Sequence, residues 1–88
     1  MQHYRPVTPL FLSRTLALFL RRADFYVLNG DIALAVGYSL AETEYHMALL
    51  VTQGAIRELT KDEKYFWALP SNVLGYQLMD LSRFNSVT

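Results

Sequence analysis

Two glycines bracket the most constraining stretch of this chain. Gly37-Tyr38-Ser39 leads into an unbroken segment, Leu40 to Gln53, which ends at Gly54-Ala55-Ile56. Ser39 with Glu42 three residues on has the form of a capping box, in which each side chain satisfies the other residue's free amide. Glycine closes a helix readily because it enters left-handed backbone without a Cβ clash. The spacing therefore predicts a helix from Ser39 to Gln53 with a fixed start and a fixed stop. A shorter helix, Ile32 to Val36, precedes it, capped by Asp31 or Asn29 and stopped by Gly37. Any fold must be arranged around this helix–Gly–helix–Gly unit.

Upstream, Thr8-Pro9 marks the start of a first helix, with threonine as cap and proline at the first helical position. Leu12, Leu16, Phe19 and Ala23 recur at helical spacing as one buried stripe, and Arg14 and Arg21 share another face. Phe11 and Leu18 belong to neither set, a surplus that suggests a second partner surface such as a dimer interface. Phe25 to Leu28 reads as a short strand ended by an Asn29-Gly30 turn. Ala55 to Leu59 and Lys64 to Leu69 read as two strands of a hairpin joined by Thr60 to Glu63, because Tyr65, Phe66 and Trp67 favour strand. Tyr65 and Trp67 would share a side of it. Pro70 ends the hairpin, and a last helix from about Asn72 to Ser82 places Leu74, Leu78 and Leu81 in register, with Gly75 a weak point.

Composition bounds the rest. At 88 residues the chain holds one domain, residues 1–88, and not two. It has no cysteine, which excludes a disulfide framework and a thiolate metal site and suits a reducing cytoplasm. The apolar run Leu10 to Leu20 is broken by Ser13, Arg14 and Thr15 and falls short of the about 20 residues of a membrane span. His3 and His46 have no companions at metal-binding spacing and read as surface residues. No cofactor is implied. Catalytic motifs are missing: there is no G-x-S-x-G, no phosphate-binding glycine loop and no H-E-x-x-H. Glu42 and Glu44 point about 200° apart on a helix and form no carboxylate dyad.

Eight basic and eight acidic residues cancel to zero, but not evenly along the chain. Residues 1–22 hold Arg5, Arg14, Arg21 and Arg22 and no acid, whereas Ala23 to Ile56 hold only Asp24, Asp31, Glu42 and Glu44. From Arg57 onward, Arg57, Lys61, Lys64 and Arg83 balance Glu58, Asp62, Glu63 and Asp80. Such asymmetry is a clue to partners.

The order helix, strand, helix, turn, helix, hairpin resembles a winged helix-turn-helix domain. Asp31 to Gly37, Tyr38 to Glu42 and Leu49 to Ile56 carry the likeness to small bacterial regulators of the MarR, ArsR and PapI kind. The likeness covers about residues 8–70 and implies an α+β, mostly α fold: three helices, a small antiparallel hairpin wing and, here, a C-terminal helix at about 72–82. It implies a core face of Thr43, Met47 and Leu50 with Leu34 opposite. Ala41, Glu42, Glu44, Tyr45 and Ala48 would then enter the major groove of double-stranded DNA. The regulator would act as a homodimer, with Arg57, Lys61 and Lys64 of the wing reaching phosphates, aided by Arg21 and Arg22.

The sequence departs from that pattern in charge. No lysine or arginine lies between Arg22 and Arg57, although phosphate neutralisation supplies most nonspecific DNA affinity. The second expectation is therefore a winged helix used as a protein-docking module, of the sort found among phage or plasmid accessory proteins. It would present Ala41, Glu42, Glu44, Tyr45 and Leu49 to a basic or apolar partner, anchored by Tyr45.

Overall fold

In the computed structural model, which describes residues 4–22 and 25–84, Thr8 accepts a hydrogen bond from the Phe11 amide and starts helix α1, Pro9–Arg21. His3, Ala23 and Asp24 lie outside the described residues. Strand β1 (Val27–Leu28), helix α2 (Asn29–Val36) and helix α3 (Leu40–Thr52) follow, then β2 (Ile56–Glu58), α4 (Lys61–Phe66), β3 (Gly75–Leu78) and α5 (Leu81–Phe84). The protein is α+β. The two glycine stops act as expected: Gly37 and Gly54 both adopt positive φ, at 74° and 78°.

The strands form one antiparallel sheet in the order β1-β3-β2, so the last strand in the chain is the middle one. Val27 faces Tyr76 and Leu28 faces Gly75 on one side of β3. Ile56, Arg57 and Glu58 face Leu78, Gln77 and Tyr76 on the other. The core lies between this sheet and the first three helices, with Phe11, Phe19, Ile32, Met47, Leu50 and Ile56 among its members. Burying each such large side chain contributes about 1.5–3 kcal/mol. Helix α5 adds Phe84, fully buried and edge-on to Phe19 at 6.0 Å.

Several expectations are corrected. The second strand of the expected hairpin, Lys64 to Leu69, is instead the end of helix α4 up to Phe66 and a turn after it. Thr60 caps that helix: its hydroxyl accepts from the Glu63 amide at 3.2 Å, and Glu63 Oε1 accepts from the Thr60 amide at 2.9 Å. These local bonds outweigh the strand preference of Tyr65, Phe66 and Trp67, which is worth less than about 1 kcal/mol per residue. Tyr65 is almost fully exposed, while the half-buried Trp67 meets the rings of Phe25, Tyr26 and Phe66 at 5.1–5.7 Å. Helix α4 closes on Ala68 at φ 57°, a left-handed position that costs a non-glycine residue about 1–2 kcal/mol.

The expected helix 72–82 is replaced by β3 and the short α5. Leu74 just before β3, and Tyr76 and Leu78 within it, fall at every second residue, and all three are partly or fully buried. Gly75 is no weak point but a close approach, since a Cβ there would sit 2.7 Å from Leu59 Cδ1. Asn29-Gly30 lies in the first turn of α2 rather than in a separate turn before it, and neither Asn29 nor Asp31 caps that helix. Asn29 instead pins three elements together. Its amide donates to the Leu74 carbonyl (2.9 Å), its Nδ2 donates to the Leu40 carbonyl (3.2 Å), and its Oδ1 accepts from the Tyr76 hydroxyl (3.2 Å). Leu34 points outward and is 85% exposed, whereas Phe11, thought surplus, is core.

Candidate functional site

Helix α3 places its residues on two sides. Thr43, His46, Met47 and Leu50 are buried, while Ala41, Glu44, Tyr45, Ala48 and Leu49 are exposed. His46 corrects the surface reading: it is 2% exposed, ringed by Phe11, Tyr38 and Tyr45 at 5.1–5.6 Å, and neither ring nitrogen has a hydrogen-bond partner among the described residues. Burial pushes its pKa below the ordinary value, opposed more weakly by the Arg5 backbone and the Glu42 carboxylate.

Glu42 is not presented to a partner. Ser39 accepts from the Glu42 amide at 3.0 Å, but the Glu42 carboxylate is turned to Arg5. It accepts from the Arg5 amide (3.0 Å), Nε (3.1 Å) and Nη2 (3.1 Å) and sits well below the usual carboxylate range, at about 2, because of those bonds. Arg5 also donates to the Gly37 carbonyl (3.0 Å) and lies over the Tyr38 ring, and Tyr4 stacks on Tyr45 at 5.2 Å. Residues 4–6 thus strap the start of α3. Tyr45 remains half-exposed beside them.

The basic residues expected to reach phosphate are largely engaged inside the molecule. Arg57 donates from Nη1 and Nη2 to the two Glu63 carboxylate oxygens at 2.7 and 2.6 Å, and Nη2 also donates to Gln77 Oε1. The fork holds the Glu63 carboxyl down to about 2. Lys64, on α4, is buried, its Nζ donating to the Ser71 carbonyl at 3.2 Å. Arg22 lies 3.5 Å from Asp31, while Lys61 and Arg21 are exposed.

Beside α3 runs a feature that residue spacing alone did not reveal. One hollow of about 360 Å³ lies between Leu28, Gly30, Leu40, Glu44, Val73 and Leu74, with Asp31 at its rim. A second of about 320 Å³ lies between Glu44, Ala48, Val51, Glu58, Leu74 and Tyr76. Glu44 and Leu74 belong to both, so the two hollows form one groove between α3 and residues 72–76. Its carboxylates are Asp31, Glu44 and Glu58, and neither hollow is lined by lysine or arginine. Among the described residues Glu44 and Glu58 make no ion pair. The Tyr76 hydroxyl resists ionisation, first through burial and then through the charges of Glu58 and Glu44. The α3 half of this groove was legible, since Leu40, Glu44, Ala48 and Val51 fall at helical spacing. The other half was hidden by reading residues 72–82 as helix.

Among the described residues, no group of three histidine, cysteine, aspartate or glutamate side chains could hold a metal ion, and no helix is long and apolar enough to cross a membrane. Comparison with models of known families, with curated proteins and with solved structures finds no match to this chain.

Proposed function

We propose that this chain is a non-enzymatic docking module on a winged-helix frame, acting in the cytoplasm, and that it engages a protein through the exposed side of α3. The frame is supported by the order helix, strand, helix, glycine turn, helix, followed by the paired strands β2 and β3, with α4 occupying the wing connection. One observation carries the choice of protein over DNA. The outward side of α3 bears Glu44 and apolar Ala41, Tyr45, Ala48 and Leu49 without a base, while Arg57 and Lys64 of the wing are tied down. A duplex brought to this helix would meet carboxylate where phosphate calls for lysine or arginine. An exposed tyrosine among small apolar residues is instead the kind of anchor that protein interfaces use.

The test sets the two readings against each other. Fluorescence anisotropy with random duplex DNA at low salt is expected to show no salt-sensitive binding at high micromolar protein. Capture experiments from the native host are expected to retain a defined protein with the wild type and lose it with Tyr45→Ala. DNA binding that weakens with salt and with an Arg21→Ala/Lys61→Ala double variant would overturn the docking reading and restore a homodimeric DNA regulator.

A further inference from the structure

We infer that the groove between α3 and residues 72–76 receives a basic amphipathic helix of a partner protein. Its apolar side chains enter the two hollows, and its lysines or arginines meet Glu44, Glu58 and Asp31. This rests on the docking reading above and adds the class of partner.

Three observations carry it. The first is charge. Glu44 stands where the hollows join, Glu58 lies at the β2 end and Asp31 at the α2 end. Asp31 has Arg22 for company at 3.5 Å, but Glu44 and Glu58 have no cationic partner among the described residues. Glu58 is the register partner of Tyr76, and Glu44, Glu58 and Tyr76 line the same hollow, so both charges lie on one side of the sheet. An occupant that brings bases gains from this field, and an anionic one is repelled.

The second is the floor. Leu28, Leu40, Val73 and Leu74 line one hollow and Ala48, Val51 and Leu74 the other, so each offers an apolar seat under an acidic rim. Leu40 is 63% exposed despite its place there. The hollows are reached from Leu40 and from Ala48 on α3, eight residues and therefore about 12 Å apart at 1.5 Å per residue. Side chains two turns apart on a helix span about 10–12 Å and match that separation.

The third concerns the wall. An extended peptide binds most readily by adding a strand to a free sheet edge. Here β3, which reaches the groove at Tyr76, is hydrogen-bonded on both sides, and the outer strands meet the groove only at Leu28 and Glu58. Those outer strands are two and three residues long and offer only a short ladder. A peptide with unpaired amides would leave them unsatisfied against Leu74 and Val51, whereas a helix arrives with its backbone bonds made. Side-chain insertion from a helix is the mode this geometry accepts.

The experiment is an NMR amide-shift titration of the full chain with three synthetic peptides. One is helical, with leucines two turns apart flanked by lysines; one has every lysine replaced by glutamate; one is the lysine peptide scrambled. The lysine helix is expected to shift Gly30, Glu44, Ala48 and Leu74 and to bind more weakly as salt rises. A Glu44→Lys/Glu58→Lys variant, its fold checked by the dispersion of its own spectrum, is expected to lose about threefold to tenfold in affinity for the lysine helix and to gain the glutamate helix. Equal binding of all three peptides, no shift with any of them, or shifts centred on Phe66 and Trp67 would overturn the inference. Shifts confined to Ala41, Tyr45 and Leu49 would also overturn it while leaving the docking reading in place. A response of Arg21 and Lys61 to duplex DNA, with none to any peptide, would sink both.

Discussion

His46 is held among three aromatic rings with neither nitrogen bonded, and that has a consequence in solution. A buried imidazole without partners is disfavoured in its charged form, so its folded pKa lies below the ordinary 6.5. As pH falls through about 6.5, the unfolded chain takes up a proton before the folded one does. Stability therefore falls on acidification and levels off below the folded pKa. The charged groups near it, Arg5 and Glu42, are paired with each other and do not reverse the sign. Urea midpoints are expected to drop from pH 7.5 to pH 5.5 in the wild type, and the drop is expected to be smaller in His46→Phe. Equal slopes in both proteins would reject this account. The burial of His46 was present in the spacing, since it lies three residues after Thr43 and four before Leu50, on the core side of α3. Its polarity hid it. Two of the three caging rings come from outside α3, from Phe11 of α1 and from Tyr38, and helix periodicity cannot display them.

At the scale of elements, α4 shows local chemistry prevailing over residue preference. Its Thr60–Glu63 box is complete, whereas at Ser39 the hydroxyl accepts from the Glu42 amide and the Glu42 carboxylate is shared between Arg5 and, at 3.5 Å, the Ser39 hydroxyl. Thr60→Ala is expected to cost about 1 kcal/mol. The loss is read from urea denaturation, with hydrogen exchange rising at Lys64 and Trp67, whose amides close the helix onto Thr60 and Glu63. An unchanged midpoint would mean that the cap does not hold α4. Helices α1 and α3 were legible because Thr8-Pro9, Ser39 and Gly54 mark their ends within the segment itself. Strand β3 was not. Leu74 and Leu78 fit a helix at four-residue spacing and a strand at even spacing equally well. What decides is pairing with Val27 and Ile56, far away in sequence. The same blindness removed Leu74 and Tyr76 from the expected site.

For the molecule as a whole, neutrality takes on a different meaning once its charges are located. Arg5 answers Glu42, Arg22 answers Asp31, Arg57 answers Glu63 and Arg83 answers Asp80, so much of the zero sum is internal pairing. What remains outward includes large apolar side chains such as Leu10, Leu20, Leu34, Phe66 and Met79. With an isoelectric point near 6.7, little net repulsion keeps copies apart at neutral pH. Light scattering is expected to show concentration-dependent self-association that is strongest near pH 6.7 and weaker at pH 9. A strict monomer across that range would remove the homodimer from consideration.

The order of the sheet also dictates when this molecule can exist. A ribosome makes both outer strands before it makes the one that joins them. Until Gly75–Leu78 is free of the exit tunnel, Val27–Leu28 and Ile56–Glu58 have nothing to pair with, and the apolar side of the three-helix layer has no sheet to close it. Until β3 emerges the nascent chain therefore keeps that apolar side uncovered, and pairing of Gly75–Leu78 with both outer strands closes it.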